Sequence, residues 1–395
     1  MAEEACSPLV FLTNRDPLTS RGVTAISQVG ELFEEEGIEL LKPCKEDSLV
    51  SAPNSDKDRE TLSQLVSNDG AVLLNTAFGR CYDFLENVMN PKRDGYKVTL
   101  VGLGDVGGTV LTGLKLLGND ISEVAVFDPY EPMMARYEIE LNQVLPIDDD
   151  RSMPVIKIAD PDHLFDCDVF IFTASKGVPG LGTTVKDVRM AQYEANRGML
   201  ASYAAMARQA HFQGLFCQVS DPVDHLSRGI FLDSQKDQEG HMDFMGLMPE
   251  QVQGFGLGVM AARAAYYAKK NEIEFEKGRV YGPHGQGLIA ANSFDEDYNN
   301  EVSCHLTDLT RTANLKVRDL GFKPYIAPGL SSAAVSILRL MKGQVHYGAV
   351  PMGGTYFGCR SRFTSHGISL ERENIKDDLM KRIHETYDML KVFEY

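Results

Sequence analysis

The chain has 395 residues, a formal net charge of −17 at neutral pH and 43% hydrophobic residues, enough to bury a sizeable core in two or three domains. The acidic balance excludes tracking of a nucleic-acid backbone, which needs a basic stripe. No basic segment leads into an apolar run at the start, and no stretch is long enough to span a bilayer, so a cytoplasmic protein without a membrane partner is expected.

Residues 1–95 contain a strand at Leu9–Leu12, a helix-like run at Ala25–Glu36 and a charged stretch with Ser and Pro at Lys45–Arg59. They read as a small α/β appendage. From Lys97 short apolar strands alternate with helix-length segments, which is the pattern of βαβ units and a parallel sheet. The strands are Lys97–Val101, Glu123–Phe127, Val155–Ile158, Val169–Thr173 and Leu215–Val219, with helices at Val106–Leu117 and about Asp187–His211. Past Pro222 longer helices mix with Gly-rich turns, Gly282–Gly287 and Gly353–Gly358, so a second, α+β domain is expected there. The expected division is 1–95, 96–221 and 222–395. The seven cysteines form no CxxC pair, so they read as small buried apolar residues, and neither a metal site nor a disulfide framework is expected.

The run Gly102-Leu-Gly104-Asp-Val106-Gly107-Gly108 places GxGxxG between a strand and a helix, and Asp128 closes the next strand. In that context Gly102 permits the tight turn and Gly104 lets a pyrophosphate approach the backbone. Gly107 lets the helix pack on the sheet, with the anion at the helix N-terminus. A carboxylate at Asp128 accepts from both ribose hydroxyls and repels a 2′-phosphate, so a doubly wound Rossmann domain binding NAD rather than NADP is expected. Asp105, inside the loop, must point away from the pyrophosphate.

Further motifs extend this reading. Asp168–Pro179 followed by Asp187–Asn196 resembles the fourth strand, mobile loop and next helix of the lactate and malate dehydrogenases. Ser220-Asp221-Pro222-Val223-Asp224 resembles their Asn-Pro-Val-Asp turn, Ala261-Ala-Arg263 their Asp-Ser-Ala-Arg helix, and Gly282-Pro-His284-Gly285 their Gly-Glu-His-Gly turn. Ile326–Ala334 and Gly354–Gly358 resemble their late helix and closing hairpin. The resemblance runs from Lys97 to the C-terminus and implies a homodimer or homotetramer that interconverts a small 2-hydroxy acid and a 2-keto acid. It also implies roles. His284 takes or returns the hydroxyl proton, Arg263 holds the substrate carboxylate through a two-pronged contact, and Arg189, on the loop side, polarises the carbonyl. Thr173, Ala174, Asn196 and Val219 join Gly102, Gly104, Val106, Gly107 and Asp128 as cofactor-binding positions.

The chain departs from that family where the catalytic His finds its carboxylate. Three residues before Arg263 the family has Asp, and this chain has Met260. Asp221, at the family's Asn position, is the nearest candidate to restore the charge, although Asp221 and Asp224 also suit a turn with Asx-type bonds. The loop between Pro179 and Arg189 is longer than the common form, carries Gly180, Gly182, Thr183 and Thr184, and holds no arginine. It leaves room for a side chain larger than that of lactate. Two alternatives stand beside this reading: an imine or carbonyl reductase of the same architecture, and an NAD-binding regulatory protein whose catalysis has decayed.

Overall fold

The computed structural model describes residues 9–44, 56–145, 152–176 and 188–395, without the side chains of 56–59, 68–69 and 188–192. The N-terminal region forms β1 (Leu9–Thr13), β2 (Val23–Ile26), α1 (Asp56–Asp69), β3 (Ala71–Asn75) and α2 (Cys81–Met89). The parallel region follows as β4 (Tyr96–Val101), α3 (Asp105–Leu117), β5 (Ile121–Phe127), α4 (Glu131–Asn142), β6 (Val155–Ile158), β7 (Val169–Phe172), α5 (Val188–Gln209), β8 (Leu215–Gln218), α6 (Val223–Ser234) and β9 (Val252–Gly254). The remainder comprises α7 (Leu257–Lys270), β10 (Arg279–Tyr281), β11 (Ile289–Ala291), α8 (Asn300–Arg311), α9 (Ala313–Asp319), a π-helical turn at Pro328–Ala334 and α10 (Val335–Met341). It closes with β12 (His346–Met352), β13 (Thr355–Thr364), β14 (Gly367–Leu370) and α11 (Asp377–Lys391).

Strands β6-β5-β4-β7-β8-β9 form the parallel half of a sheet in the doubly wound order, with helices on both faces. The five expected strands and both expected helices are present within a few residues of their expected ends. Burial on both faces explains why these strands read as continuous apolar runs, since Val98, Leu100, Val101, Val124, Val126, Phe170, Ile171 and Phe172 are all buried. The sheet does not stop at β9. Antiparallel β12, β13 and β14 continue it, and β2, β3 and β1 from the N-terminal region complete twelve strands.

The helix-like run Ala25–Glu36 is instead the end of β2 followed by a 3-10 turn at Val29–Phe33. Pairing of Val23–Ile26 with Ala71–Leu74 takes the backbone that a helix would need. Glu31 then folds back onto Ser27, accepting from its amide at 2.7 Å and its hydroxyl at 3.0 Å. Among the described residues no helix is long and apolar enough to cross a membrane.

The N-terminal region is held to the parallel half by shared apolar packing, since Val72, Leu74, Phe78 and Phe84 belong to one cluster with Phe170, Phe216 and Phe231. It is also held by a buried carboxyl group. Glu250, just before β9, accepts from the Gly22 amide at 2.7 Å. Burial pushes its pKa up to about 7, against the lowering by its backbone bonds and by nearby Arg21. The folded chain therefore keeps a proton between about 4.5 and 7 that the unfolded chain sheds, so this group's contribution to stability falls as pH rises through that window and is level above it. Glu250→Gln keeps the acceptor and removes the titration. Urea unfolding should show the wild-type chain losing on the order of 3 kcal/mol relative to the variant between the two ends of the window, and parallel curves would show that Glu250 does not titrate there.

Candidate active site

The strand order reverses between β4 and β7, which opens a crevice at their carboxyl ends. Gly102 leaves β4 with φ +92°, and a Cβ there would lie 2.6 Å from the Ala174 amide nitrogen, so the turn requires glycine. A Cβ on Gly107 would lie 1.9 Å from the Gly102 carbonyl oxygen, which explains the third glycine. Gly104 caps α3 and has open space where its Cβ would point, so the first-turn amides face the crevice beside half-buried Val106.

Asp128 accepts from the Leu103 amide at 2.8 Å and the Tyr130 amide at 2.9 Å, which fixes the acid beside the glycine loop with lone pairs left over. Asp105 has a cation of its own. Its carboxylate meets Lys323 Nζ at 2.8 Å. The other wall is built by short ties among strand-end loops. The Thr173 hydroxyl donates to the Gly102 carbonyl at 2.7 Å, the Ser220 hydroxyl to the Ala174 carbonyl at 2.6 Å and the Val219 amide to the Phe172 carbonyl at 2.9 Å. Buried Asn196, on α5, accepts from the Lys176 amide at 3.0 Å and donates to the Asp221 carbonyl at 2.8 Å, so it joins the loops after β7 and β8. An anion-facing helix end, a glycine cradle and an acid at the second strand fit a dinucleotide.

His284 lies in the turn between β10 and β11. Its Nδ1 lies 2.9 Å from Asp221 Oδ1, and its Nε2 is buried with no partner among the described residues. A carboxylate at Nδ1 accepts the Nδ1 proton, so the neutral ring presents the Nε2 lone pair. The ring is pressed against the start of α7, where a Cβ on Gly256 would lie 2.8 Å from His284 Cβ. That helix end is fixed from behind by Ser332, whose hydroxyl donates to the Gly256 carbonyl at 2.7 Å and accepts from the Val259 amide at 2.9 Å.

Arg263 sits two turns along α7, half-buried, with a guanidinium nitrogen 3.8 Å from Met260 Sδ and no carboxylate partner among the described residues. Burial lowers its pKa, and Tyr267 and Asp221 oppose that lowering, which puts Asp221 within electrostatic reach of both His284 and Arg263. Met260 is buried in the apolar cluster around α7. Arg189 falls in the first turn of α5 with its side chain outside the described residues, as is the loop carrying Gly180, Gly182, Thr183 and Thr184. Sequence reasoning missed Lys323, Gly256 and Ser332. Only a helix-capping pattern or the need to balance Asp105 would have pointed to them.

A cavity of about 440 Å³ lies in front of Arg263. A larger one, about 650 Å³, opens at the opposite, amino ends of β4, β7 and β8. It holds none of these groups, and its lysines are already paired, Lys92 with Asp168 and Lys342 with Asp120.

No protein-family model and no curated protein matches the chain at the level of sequence. Solved structures do match its fold. A minor L-lactate dehydrogenase from Enterococcus mundtii is 18% identical with a TM-score of 0.62, over 76% of this chain and 97% of that one. The malate dehydrogenase of Picrophilus torridus is 18% identical with a TM-score of 0.60, over 75% and 95%. That of Archaeoglobus fulgidus, solved with NADH, is 16% identical with a TM-score of 0.59, over 75% and 97%. The chain has the Rossmann-type α/β fold of the lactate and malate dehydrogenases in a divergent sequence.

The pair at His284 generates a test. Asp221→Asn keeps an acceptor for Nδ1–H and removes the charge that balances an imidazolium. On the oxidoreductase reading proposed below, NADH-linked turnover should fall by on the order of 100-fold, about 2–4 kcal/mol in the barrier, while NADH affinity measured by fluorescence stays within a few fold. Unchanged turnover would show that the imidazole works without the carboxylate.

Proposed function

We propose that the chain is an NAD-dependent oxidoreductase that interconverts a 2-hydroxy acid and a 2-keto acid with a side chain larger than that of lactate. The observation that carries this reading is the Asp221–His284 pair, with Nε2 buried and without a partner among the described residues, beside the crevice of the glycine loop. In the oxidative direction Nε2 accepts the hydroxyl proton, and Asp221 balances the imidazolium. Arg263 holds the substrate carboxylate in two parallel bonds, and Arg189 polarises the oxygen from the first turn of α5. NAD, when bound, supplies the hydride acceptor. The NADH complex of a dehydrogenase with this fold supports that choice of cofactor.

Steady-state NADH oxidation against a panel of 2-keto acids tests the reading directly. NADH binding without consumption of any of them would remove it. Arg263→Lys should retain NADH affinity and lose most of kcat/KM, because a point charge does not reproduce the planar fork; unchanged kcat/KM would make Arg263 structural. Asp128→Ala should narrow the preference for NADH over NADPH by at least tenfold. Equal use of both by the unaltered protein would remove the argument from this carboxylate.

A further inference from the structure

We infer that the cavity in front of Arg263 takes the side chain of the keto acid, and that the substrate is a monocarboxylate whose side chain is branched-aliphatic or aromatic. This rests on the function proposed above. The first part of the argument is geometry. Gly256, against His284, and Arg263 are seven residues apart, close to two full turns, so both lie on one stripe of α7 roughly 10 Å apart along the axis. Val259 stands between them on that stripe, and Tyr266 and Tyr267 extend it beyond. The cavity opens along this stripe, walled by Val259, Arg263, Tyr266 and Tyr267 on α7, by Val317 on α9 and by Ile326 across the gap. A substrate held at its carboxylate by Arg263 then places its remaining substituent in this space, on the helix stripe whose other end meets His284. The volume falls inside the roughly 300–1,000 Å³ of small-molecule sites.

The second part is charge. Among the described residues Arg263 and Lys323 are the only charged ones that line the cavity. Lys323 is already answered by Asp105 at 2.8 Å. Arg263 has no carboxylate in contact among the described residues, its contact there being a thioether sulfur, and Asp221 acts on it only from a distance. Among the described residues the cavity thus offers one cation without a carboxylate in contact, and a second carboxylate there would have to displace Lys323 from Asp105 and leave that acid uncompensated at the glycine loop. The third part is the wall itself. Tyr266, Val317 and Ile326 are exposed large apolar side chains gathered at one opening, and an apolar substituent removes their surface from water where a polar one does not.

The test measures kcat/KM for NADH oxidation with pyruvate, oxaloacetate, 4-methyl-2-oxopentanoate and phenylpyruvate, with binding of the inert acids propanoate, succinate and 3-phenylpropanoate to the NADH-loaded chain measured by calorimetry. The inference expects at least about a tenfold advantage of the two apolar keto acids over pyruvate and oxaloacetate, and the same order among the inert acids. Val317→Trp, which narrows the cavity, should reduce that advantage about tenfold through KM. An advantage for pyruvate or oxaloacetate, with turnover intact, overturns the apolar pocket and leaves the keto-acid reading standing. Failure of every keto acid overturns the reading, and the pocket assignment falls with it.

Discussion

A histidine that exchanges protons with a substrate needs its far nitrogen fixed, and in this chain the Asp221 carboxylate fixes it at 2.9 Å. The bond joins two elements that are far apart in sequence. Asp221 follows β8 in the parallel half, whereas His284 sits in the turn between β10 and β11. Neither residue is placed by local structure alone. The loop after β8 is held by Asn196, through the Asp221 carbonyl, and by the Ser220 hydroxyl on Ala174. The histidine turn is held against Gly256, where any larger residue would displace the ring. The same contacts that build the crevice at the carboxyl ends of β4 and β7 therefore set the position of the proposed general base.

The π-helical turn at Pro328–Ala334 gives this arrangement its rigidity. Gly329 approaches Thr109 on α3 so closely that a Cβ would lie 2.7 Å from it, and Ser332 caps α7 with two bonds. The helix that would meet the pyrophosphate and the helix that carries Arg263 are thus wedged on one short segment. Lys323, just before it, reaches Asp105 and balances an acid at the mouth of the glycine loop. A carboxylate beside an anion site is tolerable once it has a cation of its own.

The parallel half was legible because its strands are buried on both faces and its glycines have steric reasons at fixed offsets. Gly102, Gly107 and Asp128 follow from that logic and sit where it requires. The N-terminal region was less legible. Ala25–Glu36 carries a helical distribution of apolar residues, yet its first residues pair with β3, and strand pairing of that range leaves no local signal. The continuation of the sheet through β14 to β2 was unreadable for the same reason. At the site, the residue types were visible, but the partnership of Asp221 with His284 depends on a distance between loops 63 residues apart. Lys323 and Ser332 act through tertiary contacts and left no motif.

The location of the carboxylate also decides what Arg263 is free to do. An acid at position 260 would stand three residues before Arg263 on one helix, where side chains meet, and would answer part of its charge. Met260 supplies a sulfur at 3.8 Å instead, and burial of the guanidinium lowers its pKa against the opposing pull of Tyr267 and Asp221. Holding a cation in that state costs free energy that an isolated fold has no reason to spend. An anion bound there would recover it by supplying a carboxylate in contact with the guanidinium. With the acid at Asp221, the imidazole keeps its counter-charge from the strand side while the α7 side becomes apolar apart from one guanidinium. Placing a single carboxylate at the strand end rather than on the helix therefore sets the polarity of both the Asp221–His284 pair and the α7 surface around Arg263.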